Sequence, residues 1–196
     1  FNERSYSIYL SFGFDAVFTS GHYHGYYFEG NSNKKDKKEK EKEKDKDAKK
    51  DNNFKIEQLS AENAAECAAL YKQACGSSRL NEIKAAIGGH FPCLVLSLPG
   101  KGVVAYTTGA YLMGHSLAKD LASFQALVAA VSAIHKPHER LPPPEFMVPH
   151  CYPSVGRWLA KSGFRLRRHI ICMEYNAEEA FAPPQGGMVY CNNINY

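Results

Sequence analysis

The groups in this chain best suited to chemistry are a phenol, an amide and a short run of small polar residues. Tyr9 is a phenol, both donor and acceptor, which on the residues alone reads as a packed ring with its hydroxyl at the surface. Asn2, just upstream of it, carries an amide that can cap a helix. Much further along, Gly114-His115-Ser116-Leu117-Ala118 stands ahead of a long apolar stripe. Gly114 permits close backbone approach, and amides at Ser116–Ala118 before a helix can receive a phosphate, with Lys119 adding positive charge. The plainer expectation for the same stretch is a loop in which Ser116 or Asp120 caps the helix.

The remaining candidates are weaker. His22 and His24 alternate along an expected strand and share a face, which suits metal ligation. No acidic or cysteine partner stands at ligand spacing, so no metal is expected. His115, His150 and Cys151 fall in expected loops; a Cys–His nucleophile needs an orienting acid, and none can be named. Arg165, Arg167 and Arg168 read as charges that keep a strand edge from pairing with another chain.

The elements that must position these groups can be read from periodicity. Arg4–Phe12 reads as a helix with Ile8 and Phe12 on one stripe, Asn2 as its cap and Gly13 as its stop. Phe14–Ser20 and His22–Phe28 read as two short strands around a turn at Ser20-Gly21. A helix and a hairpin of that size cannot enclose a core, so they belong to a domain begun upstream or pack against the chain beyond residue 53. From 54 onward the pattern gives a strand at Phe54–Leu59, helices at Ala61–Cys75 and Arg79–Ile87, and a hairpin of Cys93–Leu98 with Gly102–Thr107. Then come a short strand at Ala110–Met113, a long helix Leu117–His135, a strand Phe146–Val148, a helix Val155–Lys161 stopped at Gly163, a strand Phe164–Tyr175, and a last strand at Met188–Cys191. The expected class is mixed α/β (α+β), a central mixed sheet flanked by helices.

Composition sets limits on partners. The chain has 196 residues, 44% of them apolar and 12% aromatic, enough for a buried core. The formal charge is +4, but ten lysines and seven acids between Lys34 and Asp51 account for +3 of it. The rest is close to neutral, so neither a nucleic-acid surface nor a membrane tether is expected. Residues 31–53 hold no large apolar side chain and read as a charged linker between 1–30 and 54–196. Apolar runs are too short to span a bilayer. Six scattered cysteines with no C-x-x-C pair, and no glycosylation sequon, point to free thiols in a reducing, cytoplasmic setting. Because the chain enters a motif directly at Phe1, it reads as a piece of a longer protein. Oligomeric state is left open.

The opening, Asn2-Glu-Arg-Ser5-Tyr-Ser-Ile8-Tyr9-Leu-Ser-Phe-Gly13-Phe14, resembles the C-terminal motif of the GNAT acetyltransferase superfamily, N-x-x-A/S-x-x-L/I-Y-x-x-x-G-F. Ser154–Phe164 followed by Arg165–Met173 resembles the same helix–glycine–strand unit a second time, and the element order from 54 onward is the order of that family. The resemblance implies a tandem protein: residues 1–30 as the tail of one GNAT domain, 31–53 as a tether, and 54–196 as a divergent second domain. It implies an N-acetyltransferase using acetyl-CoA as cosubstrate and a small-molecule or peptide amine as acceptor. By the same resemblance Tyr9 is the general acid facing the sulfur, and Asn2 contacts the pantetheine arm, which lies in a splayed gap between strands.

The second unit departs from the pattern. Counting back from Gly163 as from Gly13, Tyr152 takes the asparagine position and Leu159 the tyrosine position. Leucine has no proton to give. The pyrophosphate motif Q/R-x-x-G-x-G/A is missing, and Gly114, His115, Ser116, Leu117 and Ala118 stand where it would be, similar to a variant loop of divergent tandem acetyltransferases. A non-catalytic scaffold or ligand-sensing module at 54–196 is therefore the alternative reading.

Overall fold

The computed structural model describes residues 3–28, 53–111, 114–136, 141–175 and 188–192. The N-terminal segment forms α1 (Glu3–Ser11) and β1 (Phe14–His24). The remainder runs β2 (Lys55–Gln58), α2 (Ala64–Cys75), α3 (Leu80–Ala86), β3 (Leu94–Leu98), β4 (Gly102–Thr107), β5 (His115–Ala118), α4 (Leu121–His135), β6 (Glu145–Pro149), α5 (Pro153–Lys161), β7 (Arg165–Tyr175) and β8 (Val189–Asn192). From Lys55 onward this is the element order expected from periodicity.

The fold is mixed α+β, but the expected central mixed sheet is replaced by two antiparallel sheets. One has the order β6-β1-β7 and the other β2-β3-β4-β5-β8. The expected hairpin around Ser20-Gly21 is instead the single strand β1. It is the middle strand of its sheet, with Ser20–His24 against Pro149–Glu145 of β6 and Phe14–His24 against Tyr175–Arg165 of β7. Ladders on both edges keep the chain extended through Gly21, which overrides a local turn preference. A bulge between His22 and Tyr23 takes up the irregularity.

The N-terminal segment is thereby built into the body formed by the rest of the chain. Beyond β1, the Tyr27 N–H donates to Ser132 Oγ at 3.1 Å and the Phe28 N–H to the Ser162 carbonyl at 3.0 Å. Tyr27 also stacks on Trp158, ring centres 5.8 Å apart. Gly163 closes α5 with φ 103, and a Cβ there would lie 2.7 Å from the Tyr26 carbonyl oxygen. Only glycine allows both the left-handed turn and the close passage of the Tyr26 backbone.

Two cores flank the larger sheet. α4 presents Phe124, Leu127, Val128 and Val131 to Leu96, Val104, Ala118, Phe146 and Val148. On the other side α2 and α3 bury Cys67, Leu70, Tyr71 and Ile83 against Val95, Tyr106 and Leu117. Burial at this scale, about 1.5–3 kcal/mol per large apolar side chain, is what holds the helices to the sheet. Among the described residues, no helix is long and apolar enough to cross a membrane.

Candidate functional site

The stretch from Gly114 to Ala118 is not the helix-capping loop that the sequence suggests. His115–Ala118 is β5, buried along its whole length. The strand expected at Ala110–Met113 is displaced to this position, and residues 112–113 lie outside the described residues. The helix starts at Leu121, four residues later than expected, and Asp120 caps it by accepting the Ser123 N–H at 2.7 Å. The backbone around β5 is committed to protein. β4 pairs on one edge through Ala105, Tyr106 and Thr107, and β8 pairs on the other through Val189 to Asn192. The His115 N–H donates to Thr108 Oγ1 at 2.9 Å, and the Lys119 N–H to the Val104 carbonyl at 2.8 Å. Gly114 does allow close backbone approach, but to the Gly109 carbonyl, with which a Cβ would collide.

The side chains of β5 divide between core and a buried polar network. Leu117 and Ala118 are core residues. Ser116 Oγ hydrogen-bonds Thr107 Oγ1 at 2.9 Å. His115 lies 2.8 Å from the Tyr106 hydroxyl through Nε2 and 3.3 Å from Thr108 Oγ1 through Nδ1. Tyr71 meets the imidazole edge-on at 5.6 Å, and the Arg79 guanidinium sits 5.2 Å above Tyr71. Burial, reinforced by the Arg79 charge, drives the His115 pKa down to about 3. Burial also raises the Tyr106 phenol well above its ordinary value. The pair is therefore neutral at ordinary pH, and it specifies how β4 and β5 sit together.

At this place β5 and β6 run from a shared corner into different sheets. The Glu145 N–H donates to the Ala110 carbonyl at 3.0 Å, and the Thr108 N–H donates to the His115 carbonyl at 2.9 Å. Both strands thus set out from one corner, yet they belong to different sheets. β8 occupies the seam between them, laddered to β5 and lying against β6.

Tyr9 stands elsewhere. It lies on α1, half exposed at 50%, with its ring edge-on to Phe14 at 5.5 Å. α1 packs on β1, at the end of β1 that pairs with Tyr175 and beyond the reach of β6. The phenol therefore stands by Phe14, at the opposite end of β1 from His24, the residue that pairs with Glu145 at the start of β6. Asn2 lies outside the described residues. In the second unit Leu159 is wholly buried in the α4 core, where it packs and donates nothing.

Sheet register creates contacts that spacing along the chain could not reveal. His22 is buried at 2% exposure with Nε2 3.3 Å from Glu145 Oε2, and Arg167 lies 3.4 Å from the other oxygen of the same carboxylate. Burial lowers the His22 pKa, against the opposing pull of Glu145. The acidic partner missing from the local sequence is thus supplied by β6. His150 bonds not with Cys151 but with Thr19 Oγ1 at 3.0 Å and with His169 at 3.2 Å. Burial and the His169 charge lower the His150 pKa, while burial raises the Cys151 thiol, so no thiolate–imidazolium pair forms. Arg167 has a partner in Glu145, which adds an ion pair to its expected role on the strand surface.

Among the described residues there is no group of three or more metal-ligating side chains. Cys67, Cys75, Cys93, Cys151 and Cys172 are free thiols. Burial pushes Cys67 up to about 12 and Cys93 to about 11, so both act as small apolar residues. Comparison with protein-family models, with curated proteins and with solved structures found no match to this chain.

Proposed function

We propose that this chain is part of an acetyl-CoA-dependent N-acetyltransferase of the tandem GNAT type, acting on a small-molecule or peptide amine. The observation that carries the reading is the β5–β6 seam: two strands that leave the Ala110–Glu145 corner for different sheets, with β8 between them. Support also comes from the element order and from the helix–glycine–strand units at Tyr9-Gly13 and Leu159-Gly163. In the reaction, the amine attacks the thioester carbonyl, the C–S bond breaks, and the departing thiolate takes a proton. Tyr9, half exposed on α1, is the residue of this chain suited to give that proton. In full-length protein, Tyr9→Phe should lower turnover of an amine panel while leaving acetyl-CoA affinity unchanged. Unchanged turnover would remove Tyr9 from the mechanism.

A second reading, that residues 54–196 are a non-catalytic scaffold or ligand-sensing half, is favoured by one observation. Leu159, at the tyrosine position of the second unit, is fully buried and packed. The two readings coexist if the first unit performs transfer and the second supports it. Activity in a full-length Tyr9→Phe variant equal to the parent would leave neither unit with a tyrosine donor at that position, since the second holds Leu159.

A further inference from the structure

We propose that β8 is a displaceable strand seated in the acyl-CoA slot of residues 54–196, so that ligand binding and strand release are coupled. The proposal rests on the acyl-CoA reading above and adds its regulation.

β5 and β6 part from a common corner, and the space between them is taken by four residues of the same chain. β8 ladders to β5 from Ala118↔Val189 to His115↔Asn192. It touches β6 without joining its sheet. Val189 anchors it, 3% exposed within the core that also holds Ala118, Phe146 and Val148.

The tie is short. β1 is held by ladders on both edges, ten residue pairs of them with β7, whereas β8 has one ladder of four pairs on one edge. A strand so held is the kind of element that opens locally at small free-energy cost. Its seat is also chemically particular. An acyl-pantetheine arm is an extended chain with amides spaced along it, and it needs the backbone donors and acceptors of a strand edge. On β5 that edge is the one β8 covers, since β4 covers the other. Strand and arm therefore exclude each other, and the apparent affinity for acyl-CoA is the intrinsic affinity scaled by the fraction of molecules with β8 released.

The test is hydrogen exchange of the unaltered chain with and without saturating acetyl-CoA, paired with calorimetric titration of that chain and of Val189→Asp. The substitution places a carboxylate in an apolar pocket and unseats the strand. Amides of Tyr190–Asn192 should exchange about tenfold faster when acetyl-CoA is bound, while β3 and β4 stay protected. Val189→Asp should bind acetyl-CoA about tenfold more tightly than the parent. Binding without faster exchange at β8, and with equal affinity in both chains, would overturn the strand exchange and leave the acyl-CoA reading intact. Absence of binding in both chains would overturn that reading and the exchange with it. If Val189→Asp does not fold, the exchange experiment on the unaltered chain decides alone.

Discussion

The Glu145 N–H donates to the Ala110 carbonyl at 3.0 Å, and that bond ties the start of β6 to the turn ahead of β5. Past it the strands separate into different sheets, one centred on β1 and one ending in β8. The proposed acyl-CoA slot depends on this divergence. The half-exposed phenol Tyr9 and the buried Leu159 occupy equivalent places in two helix–glycine–strand units whose strands, β1 and β7, pair with each other.

That equivalence gives a contrast in stability. Leu159→Ala removes a fully buried side chain and should cost about 2–5 kcal/mol, read from urea unfolding. Tyr9→Phe, at a half-exposed position, should stay within about 0.5 kcal/mol of the parent. A large loss in Tyr9→Phe would mean that the hydroxyl serves the fold.

Gly114 answers to sterics alone. Gly114→Ala drives a methyl group into the Gly109 carbonyl and should lower stability by about 1–3 kcal/mol. Gly100→Ala, at φ 72 with nothing nearby, should cost about 1 kcal/mol from backbone conformation. Equal losses at both sites would show that the Gly109–Gly114 approach relaxes freely.

Asp120 is a helix cap whose carboxylate sits at the amino end of α4. Asp120→Ala should cost about 1 kcal/mol by thermal denaturation. No loss would indicate that the Ser123 N–H finds another acceptor.

His115 predicts a pH dependence. Its folded pKa is depressed from 6.5 to about 3, so the unfolded state binds a proton that the folded state refuses. This contribution to stability is complete above pH 6.5 and is lost as pH falls from there towards about 3. The imidazole proton resonance of His115 should show no titration at about pH 5. A transition near 6.5 would contradict the buried, neutral assignment.

Much of the fold was legible in the chain because it is written in local periodicity. The α4 stripe from Phe124 to Val131 and the stops at Gly76 and Gly163 are properties of short windows. What failed needed partners from far away. Gly21 reads as a turn in isolation, yet β6 and β7, more than a hundred residues on, hold it extended. Leu117 and Ala118 have helical company on one side, but the ladders to β4 and β8 make them strand. The same distance hid Glu145 beside His22 and His169 beside His150.

Acetyl-CoA titrated against the melting temperature of the parent chain and of Val189→Asp addresses the β5–β6 seam most directly. An acyl-CoA slot at the seam predicts a rise that grows with the logarithm of ligand concentration, larger in the variant. No rise in either protein at about millimolar acetyl-CoA, well above the affinity such a slot would need, would contradict it.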